Sequence, residues 1–275
     1  MRTKHQLDLE AFLADSPVFS LGDLAVARGD GDRLEPARNQ LKHHLRTGRI
    51  KAVSHGIFAA VPPGILAARF HPDPFLVGLV ARPDAIFTYH AALELQGVSY
   101  AVRRDTTLFT ARRRTAIDLG TKRVVFLPHP QPLMRRGLTE IGTIELPGDT
   151  RSVRGTGPER TLVEGFRNPS RVGGIAELLE SAAGIPLLRF PVLEAVLEAY
   201  DQRSLWAALG WYLTRQAERL EPPAELLARC RANRPRSNQY LVASRRAQGG
   251  SLVRDWRLIL PPQVVRGFDT RGPDT

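Results

Sequence analysis

Five side chains in one short stretch, Arg38, Asn39, Lys42, His43 and Arg46, offer guanidinium, amide, imidazole and ammonium donors. These are the groups that meet base edges in the major groove or hold phosphate oxygens. A helix turns by about 100° per residue. On such a helix Arg38, Lys42 and Arg46 lie one step round from the stripe Ala37, Leu41, Leu45, and Asn39 and His43 lie nearly opposite that stripe. Between Leu34 and Ala60 five Lys/Arg (Arg38, Lys42, Arg46, Arg49, Lys51) stand against one acid, Glu35, whereas residues 1–33 carry four basic and six acidic residues. The positive charge is therefore local, and it points to a polyanion as partner. The expected DNA-binding residues are Arg38, Asn39, Lys42, His43 and Arg46 on a helix, with Arg49, Lys51 and His55 on the hairpin that follows.

Other chemistry is sparse. There is no GxxxxGK[ST] phosphate loop and no GxGxxG after a strand. Asp30 and Asp32 could be imagined around a magnesium ion, but they lie in a glycine-flanked loop before a helix, where turn and capping roles account for Asp. A two-carboxylate nuclease also needs Glu-x-Lys, and none occurs. The seven His are scattered, with no HExxH, and the adjacent His43 and His44 diverge too far on a helix to share a metal. His90 lacks a Ser or Cys partner and reads as a hydrogen-bonded His packed between helix and sheet. The single Cys230 excludes a disulfide framework and reads as a buried thiol. The Arg112, Arg113, Arg114 cluster, with Arg103 and Arg104 nearby, fits equally a phosphate or acidic partner and a solvated hairpin tip. No catalytic residue, metal or cofactor is expected, and no enzyme.

The elements that would position the basic residues are legible. Leu7, Leu9, Phe12 and Leu13 make a short amphipathic helix that Pro17 stops. Ser20 starts a second helix, with Asp23 completing a capping box and Phe19 with Leu24 a hydrophobic staple. After the turn at Gly29–Asp32, Pro36 takes the first position of a third helix, and Gly48 ends it. Arg49–Val53 and Ile57–Val61 read as strands around Ser54, His55 and Gly56. Helix, helix, helix, hairpin is the order of a winged helix-turn-helix. Pro62, Pro63 and Gly64 mark a boundary.

Beyond it, helices are expected over 75–80 and 89–96, strands over 107–110, 123–127 and 143–146, and then helices over 159–166, 175–183, 192–200, 205–220 and 224–232. Residues 252–260 suggest a strand pair, and the last eight a loose tail. The expected fold class is α+β: an N-terminal winged helix-turn-helix (1–64), a mixed α/β domain with a helical C-terminal half (65–240), and a C-terminal extension (241–275) to which the sequence assigns no role. With 275 residues, 43% hydrophobic and 24% charged, the chain is long and apolar enough to bury a core, which excludes global disorder. Its net charge of +11 rests on 39 basic residues, nearly all Arg. No run approaches a membrane span and Met1–Glu10 lacks a signal-peptide core, so a cytoplasmic protein with no membrane partner is expected.

The layout resembles the AbiEi-type antitoxins of type IV toxin–antitoxin systems, found in phage abortive infection. Three stretches carry the resemblance, which spans roughly residues 5–235. One is the hairpin G-x-x-x-x-V-x-x-G-I/V-F/Y, here Gly48 to Phe58. Another is T-x-H-x-A-L-x-L-x-G, here Thr88 to Gly97. The third is the helix start P-E-R-T-L-V, here Pro158 to Val163, with Glu164 where an Asp is common. The resemblance implies an N-terminal domain that binds double-stranded operator DNA and represses its own operon, and a C-terminal domain that counteracts a co-encoded nucleotidyltransferase-like toxin, without a stable complex between the two being required. The alternatives are a nucleic-acid-processing enzyme, a nuclease that docks substrate on the winged helix, and a protein-interaction module in which that unit is scaffold.

Overall fold

A computed structural model describes residues 8–112, 114–148, 152–242 and 249–269. In chain order it places α1 (Leu9–Asp15), β1 (Val18–Ser20), α2 (Leu21–Ala27), α3 (Leu34–Arg46), β2 (Ile50–Ser54), β3 (Ile57–Ala60), α4 (Pro74–Ala81), β4 (Ile86–Phe87), α5 (His90–Leu95), β5 (Asp105–Thr110), β6 (Ile117–Asp118) and β7 (Arg123–Pro128). There follow α6 (Gln131–Arg135), β8 (Thr143–Leu146), β9 (Val153–Thr156), α7 (Pro158–Arg167), α8 (Ile175–Ala183), α9 (Phe190–Tyr200), α10 (Arg203–Arg215), α11 (Ala217–Leu220), α12 (Ala224–Ala232), β10 (Gln239–Tyr240), β11 (Ser251–Val253), β12 (Leu258–Leu260) and α13 (Pro262–Asp269). The fold is mixed α and β.

The chain divides into two compact units: one of residues 1–85, 103–128 and 148–153, the other of 86–102, 129–147 and 154–275. The division does not fall at residue 64 or at 241, where the sequence suggested it. After the Pro62–Gly64 turn the chain comes back: Lys51 Nζ donates to the Phe70 carbonyl at 2.6 Å, and His71 Nδ1 lies 2.6 Å from the Leu119 carbonyl. The C-terminal extension likewise joins the second unit, since β12 pairs parallel with β10 and antiparallel with β11. Trp256 is buried and occupies the space where a Cβ on Gly210 of α10 would stand, so that glycine is required for the close approach. The expected tail from residue 268 lies outside the described residues from 270 onward, and α13 reaches Asp269.

The first unit begins with α1, capped by the Asp8 carboxylate, which accepts from the N–H groups of Glu10 and Ala11 at 3.0 and 3.3 Å. Leu7 lies outside the described residues. Ser20 and Asp23 form the expected reciprocal cap of α2, at 3.0 and 2.7 Å. Phe19 and Leu24, the staple pair, are both wholly buried. They join Leu13, Ala25, Ala37, Leu41 and Ile50 in one core, with Phe12 edge-on to Phe19 at 5.2 Å and Phe58 stacked on it at 5.9 Å.

Strand β1 carries no sequence signal, because three residues next to a proline show too little periodicity. It pairs antiparallel with β3, which pairs antiparallel with β2, giving the order β1-β3-β2. Helix α3 begins at Leu34, so Pro36 stands third in it, not first. The first turn of a helix leaves its N–H groups without intrahelical acceptors, so the third position also tolerates proline. In the same unit β5 pairs parallel with β7 and β6 antiparallel with β7.

In the second unit β4 pairs parallel with β9, next to β8, and α7 to α10 form the apolar bulk. The single helix expected over 205–220 is two: α10 ends at Arg215 and α11 starts at Ala217, with the φ of Gln216 at -107° and its ψ at 19°. Both apolar faces of α10 are buried, from Leu205 to Leu213.

Candidate nucleic-acid interface

Helix α3 shows how the basic face is set. Ala37 and Leu41 are buried at 0% and 1% exposure, but Leu45, expected on the same face, is 36% exposed. Steps of four residues drift by roughly 40° each at 3.6 residues per turn, so a position eight residues on has rotated away, whereas one seven residues on falls roughly 20° short of a full turn. His44, seven from Ala37, takes the inward place and is half-buried. Its pKa is lowered, first by burial and then by the neighbouring His43, whose ring stands edge-on to it at 5.2 Å.

The outward face carries Arg38, Asn39, Lys42, His43 and Arg46, all exposed. Arg38 forms a solvent-facing pair with Glu35 one turn earlier at 2.7 Å, and Lys42 Nζ donates to Asn39 Oδ1 at 2.9 Å. Both contacts are surface interactions of small worth, readily exchanged for a phosphate or a base edge. The Arg46 side chain makes no ion pair or hydrogen bond among the described residues.

The hairpin residues differ among themselves. Arg49 is exposed and pairs with Glu10 of α1. His55 is exposed at the β2–β3 turn, which Gly56 closes with a φ of 72° that side-chain-bearing residues rarely adopt. Lys51 is only partly exposed, and its ammonium is turned to the Phe70 carbonyl. The structure thus brings seven of the eight residues to solvent and holds Lys51 apart.

Asp30 and Asp32 sit in the turn between α2 and α3. Asp30 is paired with Arg28 Nε at 2.7 Å, and its N–H donates to the Ala25 carbonyl. Arg28 also reaches Gln40 of α3, fixing the turn against the helix. Among the described residues no three His, Cys, Asp or Glu side chains gather as metal ligands would.

The remaining sequence candidates serve the fold. His90 is buried, and its Nε2 lies 2.6 Å from the Ala101 carbonyl. Cys230 is buried, and burial, with Glu194 adding to it, pushes its thiol up to about 12. Arg104 pairs with Asp118 at 2.6 Å. Arg113 lies outside the described residues. Arg114 Nη2 lies 3.3 Å from Ser54 Oγ at the end of β2, a contact between residues sixty apart that no local pattern signals.

The two motif segments Thr88–Gly97 and Pro158–Glu164 meet inside the second unit. Glu164, wholly buried, accepts from Thr88 Oγ1 at 2.5 Å, from Tyr200 hydroxyl at 2.5 Å and from Arg160 Nε at 2.8 Å. Arg160, also wholly buried, donates from Nη1 to the carbonyls of Thr139 and Ile141 at 2.7 and 2.9 Å. Burial opposes the Arg160 charge, but the Glu164 carboxylate and the Tyr200 hydroxyl together outweigh it, so its pKa is raised. Tyr89, between Thr88 and His90, holds a positive φ of 55°, and its hydroxyl lies 2.8 Å from the Asn168 amide. Glu159 Oε1 accepts the Arg189 N–H at 2.7 Å, at the start of α9. These residues cross-link α7 to its neighbours by buried, charge-assisted bonds.

No protein-family model matches the chain, and no curated protein does. Among solved structures it is similar to the RV2827C protein from Mycobacterium tuberculosis, with a TM-score of 0.61 and 18% identity, over 95% of this chain and 93% of that one. The likeness covers both units and shows a common fold.

Proposed function

We propose that the chain is a DNA-binding transcriptional autorepressor and antitoxin, and that its N-terminal portion works as a winged helix-turn-helix. The observation that carries this reading is the outward face of α3, where Arg38, Asn39, Lys42, His43 and Arg46 stand exposed together. The setting supports it. Helices α2 and α3 are joined by a short turn in which Asp30 pairs with Arg28, and the hairpin β2–β3 extends a three-stranded sheet of order β1-β3-β2. On this reading α3 enters the major groove, where Arg and Asn or His donors meet base edges. Arg49 and His55 on the hairpin meet the adjacent backbone. Phosphate neutralisation by Arg and Lys supplies most of the affinity and makes it fall steeply with salt.

The second half of the proposal rests on the resemblance of Gly48–Phe58, Thr88–Gly97 and Pro158–Val163 to AbiEi-type antitoxins. The chain then acts in the cytoplasm, without catalysis or cofactor of its own, and opposes a nucleotidyltransferase-like toxin encoded beside it. Among the described residues no helix is long and apolar enough to cross a membrane.

Anisotropy titration of the full chain against the duplex upstream of its own reading frame, beside a scrambled duplex of equal length, tests the repressor role. Preference for the upstream duplex by 10³-fold or more is expected for a specific site; equal affinity for the two contradicts it. Co-expression with the neighbouring transferase tests the antitoxin role, with restored growth expected and undiminished toxicity contradicting it.

A further inference from the structure

We infer that Arg112 and Arg114, with Arg82 behind them, form a second duplex-phosphate contact that adjoins the β2–β3 hairpin and holds the backbone flanking the segment read by α3. The inference rests on the proposed DNA-binding role and extends its surface well past the hairpin in sequence.

The end of β5 is pinned to Asp84. Thr110 Oγ1 donates to the Asp84 carboxylate, whose oxygens lie 3.0 and 2.9 Å away, and the Ala111 N–H donates to Asp84 Oδ2 at 2.7 Å. Burial alone would raise the Asp84 pKa. These two donors, with the Arg82 charge, outweigh it and hold the carboxylate below its ordinary value. Arg82 Nε then donates to the Arg112 carbonyl at 3.2 Å, so the start of the loop after β5 is fixed on both sides.

From that fixed start the guanidinium groups are presented in order. Arg112 is exposed. Arg114 lies over the Phe126 ring, 5.9 Å from its centroid, and reaches Ser54 at 3.3 Å. A guanidinium held against a ring and one hydroxyl keeps other N–H groups along its edge, and its planar fork matches two phosphate oxygens. Ser54 directly precedes His55 at the hairpin turn, so this cluster continues the proposed interface without a break.

The charge balance favours an anion. Burial, and next the Arg82 charge, depress the Arg114 pKa, so folding has gathered like charges that repel each other. Asp84 stays ionised and offsets Arg82 in part, but no carboxylate is among the groups that shift Arg114. A phosphate anion between the guanidiniums relieves the repulsion. An acidic peptide is the rival occupant, but continuity with the α3 face favours a duplex.

The test is the slope of log affinity against log salt for the full chain on the duplex upstream of its reading frame. Arg112→Ala with Arg114→Gln, which removes both charges and keeps a polar group near Ser54, is compared with wild type and with Lys42→Ala, Arg46→Ala. Each lost phosphate contact lowers the slope by about 0.9, so the loop variant is expected to lose about 2. Its preference for the upstream duplex over a scrambled one is expected to stay unchanged. Arg112→Ala alone, an exposed change that leaves folding intact, is expected to lose about 1. A loop variant with the wild-type slope, while the helix variant loses slope, overturns the second contact and leaves the helix reading standing. Wild-type slopes in both variants overturn both.

Discussion

Lys51 Nζ donates to the Phe70 carbonyl at 2.6 Å, so the one lysine of the hairpin holds the chain that returns after Gly64. A part-buried ammonium bonded to a backbone carbonyl stabilises the fold more than it serves a ligand. Lys51→Met is expected to lower stability by about 1.5–3 kcal/mol, the range for hydrogen bonds to charged groups. It is expected to leave the salt slope of DNA binding as in wild type. Urea melts and salt-dependent anisotropy on one preparation check both.

Leu41 and Leu45 lie one turn apart on α3 but differ in burial, at 1% and 36% exposure. Leu41→Ala is expected to cost roughly 2–5 kcal/mol, as core truncations do, while Leu45→Ala costs about 1 kcal/mol or less. Equal losses in denaturant unfolding would mean that α3 is rotated from the position described.

His44 sets a pH dependence. Its folded pKa lies below the unfolded value of 6.5, first through burial and then through His43. Between the two values the unfolded chain binds more protons, so stability falls as pH drops below 6.5 and levels off under the folded value. His44→Leu is expected to flatten that part of the stability–pH curve. An unchanged slope in the variant would assign the effect to other groups.

Glu164 closes the buried network in the second unit. Glu164→Ala leaves Arg160 buried without its carboxylate and is expected to cost about 3–5 kcal/mol. Replacing both, Arg160→Met with Glu164→Leu, is expected to recover most of that loss, because the uncompensated charge goes too. Differential scanning calorimetry of the single and double variants measures the coupling; additive losses would contradict it.

The capping box Ser20/Asp23, the staple Phe19/Leu24 and the helix over 175–183 were legible because local chemistry fixes them. The basic helix face was legible in outline, since a period of 3.6 residues needs only sequence. Leu45 turns outward although it fits a four-residue repeat, because that repeat hides the drift that brings His44 inward. The contacts of Lys51 with Phe70, of Arg114 with Ser54 and of Glu164 with Thr88 link residues far apart in the chain. No periodicity or cap encodes such pairs. For the same reason the boundary at Pro62–Gly64 was a turn, not a division between units: nothing local announces that residues 103–128 return to the first unit.

The central claim is that the outward face of α3 meets a duplex, and the most direct measurement is the binding of Lys42→Ala, Arg46→Ala to the duplex upstream of the reading frame, in gel shifts across a salt series. Loss of two cationic contacts predicts weaker binding and a salt slope lower by about 2, with the melting curve unchanged. Wild-type affinity and slope in that variant would contradict the account.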